Sequence, residues 1–320
     1  MAETDAGAPP KDPPAPVPAR DAATIMLVRD GDHGLEVCML RRHLDSDCVG
    51  GAFVFPGGKV DEADRSELAR TVCAGRSDEQ ASEIVGVGSG GLAFFVAALR
   101  ECFEEAGILL AYPAGATGGD LYRPQDDEGV SRLARFRAQV NAGRVGFLEA
   151  CQKAGVSLAV DRVLYFSHWI TPEPAPKRYD TRFFTACVPP GQTAIHDDFE
   201  TVETVWIRPT DALERSEAGE FDLIFPTIKN LQAISRFHTP AELMDAAEAA
   251  EHVPAVLPRV ISDGNGVRIV LPGDPDYEQA VGSWVPRSAA DLTSDQVGEA
   301  VRGIGSDGRI RRDQARIDRD

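Results

Sequence analysis

Between Leu92 and Ala106 the apolar residues Leu92, Phe95, Val96, Leu99, Cys102, Phe103 and Ala106 recur at i, i+3, i+4 and i+7, the spacing that lays one face of an α-helix on a core. Gly107 stands where a left-handed cap would end that helix, and Ile108, Leu109 and Leu110 open a new apolar segment. Glu101, Glu104 and Glu105 lie three and four residues apart on it, so their carboxylates project to one side within about two turns. Like charges so placed repel, and the arrangement costs stability unless cations neutralise it. Two readings fit: a divalent-metal site, or a solvated acidic helix face.

A second segment upstream, Ala52 to Asp64, contains Phe53-Val54-Phe55-Pro56-Gly57-Gly58. Together the two segments resemble the Nudix hydrolase family, whose signature runs Gly, five residues, Glu, seven residues, then Arg-Glu-apolar-any-Glu-Glu-any-Gly-apolar. Gly58 takes the first position, and Arg100, Glu101, Cys102, Glu104, Glu105, Gly107 and Ile108 fit the last block residue for residue. Asp64 stands in place of the family's first Glu, and 35 residues instead of seven separate it from Arg100. Such an excursion can leave the loop and rejoin the helix without moving either end, since a long surface insertion adds little closure entropy. It has a capping-box start at Ser77-Asp78-Glu79-Gln80 and leaves through Gly86-Val87-Gly88-Ser89-Gly90-Gly91, which reads as a flexible lead into the helix. The insertion is therefore expected to be a lid or substrate-selecting appendage. A box interrupted here is similar to the branch typified by the mammalian peroxisomal coenzyme A diphosphohydrolases, and the similarity continues through Phe166 to Pro172 and Lys177 to Phe184.

The resemblance implies a fold and a chemistry. The fold is α+β: the Nudix fold, a mixed β-sheet sandwiched between helices, with a helical insertion in the box. The chemistry is hydrolysis of the pyrophosphate of coenzyme A or acyl-CoA to 3′,5′-ADP and 4′-phosphopantetheine or its acyl form, with Mg²⁺ or Mn²⁺ as cofactor. The same chemistry on another nucleoside diphosphate derivative, such as NADH or ADP-ribose, is the alternative. A non-catalytic Nudix-fold binding module is a third reading, disfavoured because all three glutamates are kept.

By the same resemblance Glu101, Glu104 and Glu105 are catalytic and metal-ligating, Glu101 as ligand or general base, joined by the carbonyl of Gly58. Arg100 is the catalytic-block arginine that orients a box carboxylate, and Asp64 can keep the outer role of the glutamate it replaces. Glu200 and Glu203 are candidate extra carboxylates, although a turn that also holds Asp197 and Asp198 reads more readily as a solvated hairpin end. Lys177, Arg178 and Arg182 form the densest basic group near the expected sheet and are candidate substrate-binding residues. Alternation puts Arg178, Asp180 and Arg182 on one face, which allows either phosphate contact or an internal pair with Asp180. His168 reads as a structural residue bonded to backbone.

A net charge of −18 lacks the basic surface that a general nucleic-acid binder needs, but leaves room for a local cationic pocket around a small nucleotide substrate. No apolar run approaches the roughly 18 residues of a membrane span, and Met1 to Arg20 is rich in Pro and Ala instead of carrying a basic segment and an apolar stretch. The six cysteines form no close pairs and read as reduced thiols, so a cytoplasmic enzyme without nucleic-acid or membrane partners is expected. Apolar strands near the N-terminus can support a homodimer. The expected organisation is a disordered segment over 1–21, a Nudix domain over 22–240 with the insertion at 65–91, a C-terminal extension packed on it over 241–286, and a flexible tail over 287–320.

Overall fold

A computed structural model describes residues 17–45, 49–173, 175–263 and 266–277. The Asp30-Gly31-Asp32 turn signal yields the predicted hairpin, β1 (Arg20–Gly31) and antiparallel β2 (Gly34–Arg42). β1 starts earlier than the sequence suggested. Arg20 and Asp21 lie opposite Tyr179 and Asp180 in the sheet, so the boundary of a disordered segment at residue 21 is corrected; residues 1–16 lie outside the described residues. Two short strands follow, β3 (Phe53–Val54) against β2 and β4 (Gly57–Lys59) against β1. Gly57 and Gly58 are thus strand residues opposite Thr24 and Ala23.

A 3-10 turn (Glu62–Arg65) leads into the insertion, which forms α1 (Glu67–Val72), β5 (Cys73–Ala74) and α2 (Asp78–Val85), the last starting from the Ser77 capping box. Its apolar residues Ala69, Val72, Ala81 and Val85 are buried in the same core as α3 (Leu92–Ala106), the helix that carries the three glutamates. Its glycine exit is tied down as well. The Asp78 carboxylate accepts from the Gly90 and Leu92 N–H groups at 3.0 and 3.1 Å, and the Ser82 hydroxyl accepts from the Gly91 N–H at 2.9 Å. The flexible lead and the independent lid are therefore corrected: the insertion is part of the core, held there by burial of its amphipathic faces.

Beyond α3 come β6 (Ala111–Tyr112), two helices, α4 (Asp127–Asn141) and α5 (Phe147–Ala154), and β7 (Ser157–Ala159), which joins β5 and β6 in a small sheet. β8 (Leu164–Ile170), β9 (Tyr179–Cys187) and β10 (Thr201–Ile207) complete the main sheet, followed by α6 (Pro209–Glu217), α7 (Phe225–Ile234), α8 (Pro240–Glu248) and β11 (Ala255–Val256). The order is β10-β2-β1-β9-β8-β11, with β1–β9 and β8–β11 parallel and the other neighbours antiparallel. Alternation sorts the two faces: Ile25, Leu27, Cys38, Leu40 and Phe184 meet α3, while Met26, Val28, Val37, Met39 and Phe183 meet α6, α7 and α8. This is the expected α+β arrangement of a mixed sheet between helices.

Leu243 of α8 is buried in that second layer and β11 extends the sheet, so the boundary at 240 falls inside the packed unit. β12 (Arg259–Asp263) and β13 (Gly266–Val270) then pair antiparallel, and the tail expected from 287 lies outside the described residues. Among the described residues no helix is long and apolar enough to cross a membrane.

Candidate active site

Every apolar position that marked α3 in the sequence is buried, and Gly107 ends the helix at φ 73°. Both ends are also held by residues that the sequence did not flag. Asp78 takes the first N–H groups, and Arg137 of α4 donates to the carbonyls of Glu104 at 3.0 and 2.9 Å and of Glu105 at 2.7 Å. An anion at the N-terminus and a cation at the C-terminus satisfy the unpaired backbone groups and oppose the helix dipole. No local pattern announces either contact, because each joins segments far apart in sequence.

Arg100 organises the end of the helix that carries the carboxylates. Its Nε and Nη2 donate to the two Asp64 oxygens at 3.0 Å each, its Nη1 to Glu101 at 2.7 Å and Glu104 at 3.0 Å, and its Nη2 to the Lys59 carbonyl at 2.9 Å. Asp64 is buried and also accepts from the Asp61 N–H at 2.9 Å. A protein cation therefore neutralises part of the repulsion that the three-carboxylate face implied. Glu105 is held separately: one oxygen accepts from the Gly57 N–H at 2.9 Å, and the other, Oε1, is buried with no hydrogen-bond partner.

Burial raises all three carboxyls. It pushes Glu101 up to about 7, with Arg100 pulling the other way, and Glu105 well above the usual carboxylate range, with the charge of Glu101 adding to the shift. Glu104 is raised too, by burial that Arg100 partly offsets. Glu200 is exposed, yet its charge raises both Glu101 and Glu105, whereas Glu203 pairs with Arg41 at 3.6 Å. Of the two candidate extra carboxylates, Glu200 is the one beside the site. Arg42 also acts on Glu105 and lowers its carboxyl.

Among the described residues no three His, Cys, Asp or Glu side chains already stand around a common point as a cation site, because Arg100 draws Glu101 and Glu104 towards itself. The donor set nevertheless fits a hard divalent cation. Glu105 Oε1 is a buried carboxylate oxygen without a partner, and the Glu101 carboxylate presses so closely on Gly58 that a Cβ there would lie 2.4 Å from its Oε1. Glycine at 58 keeps the strand backbone and the carboxylates within reach of one ion.

The basic group expected to meet substrate is placed otherwise. Arg182 is buried, donates to Asp180 at 3.0 Å and lies over the Phe94 ring at 3.9 Å. Arg178, also buried, donates to the carbonyls of Thr171 at 3.0 Å and Val17 at 2.7 Å. Phosphate-facing roles for Arg178 and Arg182 are corrected: Arg182 makes the internal pair with Asp180, with its Nε left buried without a partner, and Arg178 is taken up by backbone carbonyls. Lys177 is exposed in the turn before β9. His168 bonds to the Asp180 carboxylate, not to backbone as expected.

Fold and site together define a Nudix-type hydrolase. The sequence pattern of the NUDT19 Nudix domain matches residues 78–234, which takes in α3 but not Gly58 or Asp64. An acyl-coenzyme A diphosphatase NUDT19 from Gallus gallus is 29% identical over 310 residues, 81% of this chain and 80% of that protein. The Homo sapiens protein of that name is 27% identical over 272 residues, 76% and 72% of the two chains. The crystal structure of a Nudix hydrolase from Alicyclobacillus acidocaldarius matches with a TM-score of 0.54 and 26% identity, over 71% of this chain and 96% of that one. In sequence and fold the chain is similar to Nudix hydrolases. Such hydrolases generally use divalent metal ions.

Proposed function

We propose that this protein is a diphosphatase of coenzyme A or acyl-CoA that uses Mg²⁺ or Mn²⁺. The observation that carries the reading is the unpartnered Glu105 Oε1, buried beside Gly57 and Gly58 on one side and the Arg100–Asp64 pair on the other. Substrate choice rests on the relatives named acyl-coenzyme A diphosphatase, which align with about three quarters or more of the chain. Glu105, Glu104, Glu101 and the Gly58 carbonyl would hold the metal. When bound, the divalent cation neutralises phosphate charge and brings the pKa of a water towards neutrality. Where Glu101 is not a ligand, it would serve as the general base that accepts a proton from the attacking water. Arg100 holds Glu101 and Glu104 in place, and Asp64 holds Arg100. A cytoplasmic location belongs to the same proposal, on the buried thiols of Cys38, Cys102 and Cys151.

The test is a panel of CoA, acetyl-CoA, NADH and ADP-ribose with Mg²⁺ or Mn²⁺, scored by released products. Production of 3′,5′-ADP, with the highest kcat/KM on CoA or acetyl-CoA, is expected. A preference for NADH or ADP-ribose would move the assignment to the other nucleoside diphosphates, and no turnover of any of the four with metal bound would leave a binding module.

A further inference from the structure

Two segments meet beside Glu105: residues 43–45, which leave β2, and residues 195–200, which lead into β10. The His43 N–H donates to the Glu200 carbonyl at 2.9 Å and joins them, and the Ile195 N–H donates at 2.9 Å to the carbonyl of Ala106, the residue after Glu105. The Asp197 carboxylate accepts from the N–H groups of Phe199 at 3.2 Å, Glu200 at 3.1 Å and Thr201 at 2.9 Å. Arg137, which holds the end of α3, also donates to the Ile195 carbonyl at 2.7 Å. The second segment is therefore fixed to the helix that carries the glutamates.

The two most exposed large apolar side chains among the described residues lie here, Phe199 at 77% and Leu44 at 74%, each next in sequence to one end of the His43–Glu200 bond. Apolar side chains held at the rim of a site, where water would otherwise cover them, mark what the site binds. The charges around them choose the occupant. Asp197, Asp198 and Glu200 adjoin Phe199, and Asp45 adjoins Leu44, so a phosphate-rich group or an anionic lipid surface is repelled. The two halves of coenzyme A differ in this respect. One is an adenosine with a further phosphate; the other is the uncharged pantetheine arm, whose gem-dimethyl carbon lies one methylene from its phosphate oxygen.

We propose that Phe199 and Leu44 are specificity-determining residues that pack on the gem-dimethyl end of the pantetheine arm, with the adenosine half lying away from them. The inference rests on the coenzyme A reading and names the side of the metal site that takes the half of the substrate able to carry an acyl group.

Calorimetry with Mn²⁺ present measures binding of the two product halves, 4′-phosphopantetheine and 3′,5′-ADP, to wild type, Phe199→Ser, Leu44→Ser, the double variant and Phe199→Leu. Both side chains are exposed, so the substitutions leave the fold in place. Each serine weakens 4′-phosphopantetheine about three- to tenfold and the double variant by more, while 3′,5′-ADP changes by less than about twofold. Phe199→Leu recovers part of the loss, and kcat/KM on CoA falls in step with 4′-phosphopantetheine affinity. Unchanged 4′-phosphopantetheine affinity in the double variant overturns the proposal. So does an equal loss on both halves, which would put the two residues beside the phosphates or the metal. Wild type that cleaves NADH or ADP-ribose but neither binds 4′-phosphopantetheine nor cleaves CoA sinks the coenzyme A reading and the inference with it. Cleavage of CoA at the same kcat/KM by wild type and double variant sinks the assignment of Phe199 and Leu44 alone.

Discussion

Arg100 and Asp64 form a bidentate pair, Nε to Oδ1 and Nη2 to Oδ2 at 3.0 Å each, across 36 positions of sequence. The pair closes an interrupted box: Asp64 sits in the turn before the insertion and Arg100 in α3 after it. The bond from the Gly57 N–H to Glu105 makes a second closure across 48 positions. With aspartate in place of the family's glutamate, the fork of the guanidinium is still filled.

Asp64→Asn should therefore damage stability and turnover together. Removing one partner of a buried pair costs about 3–5 kcal/mol, and the lower end applies because Arg100 keeps Glu101 and Glu104. Loss of such an orienting partner lowers kcat/KM about 10–100-fold. Melting temperature and steady-state kinetics on CoA check both. A variant that melts lower but turns over at the wild-type rate would reduce the pair to a fold contact.

Glu105→Gln should remove turnover and leave the fold intact. The amide oxygen can still accept from the Gly57 N–H, and one of several buried like charges disappears, so the metal-free variant should melt at or above the wild-type temperature. Mn²⁺ titration should show weakened binding. Near-normal kcat at saturating metal would rule out Glu105 as a ligand.

The helix, its cap and its buried stripe were legible in the sequence because each follows from local periodicity and cap chemistry. The box residues were legible too. What escaped were contacts between distant segments: Asp78 and Arg137 at the ends of α3, and Arg42 beside Glu105. The errors have the same origin. Glycines at 86–91 suggested freedom, but Asp78 and Ser82 bind their backbone, and basic residues at 178 and 182 suggested a ligand, but the sheet buries them against Thr171, Val17 and Asp180.

Metal-free protein should lose stability as pH rises from about 4.5 to about 7. Glu101 titrates near 4.5 when unfolded and about 7 when folded, so across that window the folded state binds more protons. Its contribution is fully present below the lower value and gone above the higher. Melting curves in EDTA at several pH values, for wild type and Glu101→Gln, isolate it. The wild type should show the steeper fall, and parallel curves would show that Glu101 does not titrate there.

The insertion should prove inseparable from the core. Replacing residues 66–90 with a short loop removes Val72 and Val85, each about 1.5–3 kcal/mol of apolar burial, along with the Asp78 bonds to the start of α3. The truncated chain should fail to fold. A gentler test avoids ambiguity: Asp78→Ala strips the cap alone and should cost about 1 kcal/mol, with Arg100 and the three glutamates untouched. Calorimetry of both variants decides. Cooperative melting of the truncated chain near the wild-type temperature, with only KM changed, would restore the appendage reading.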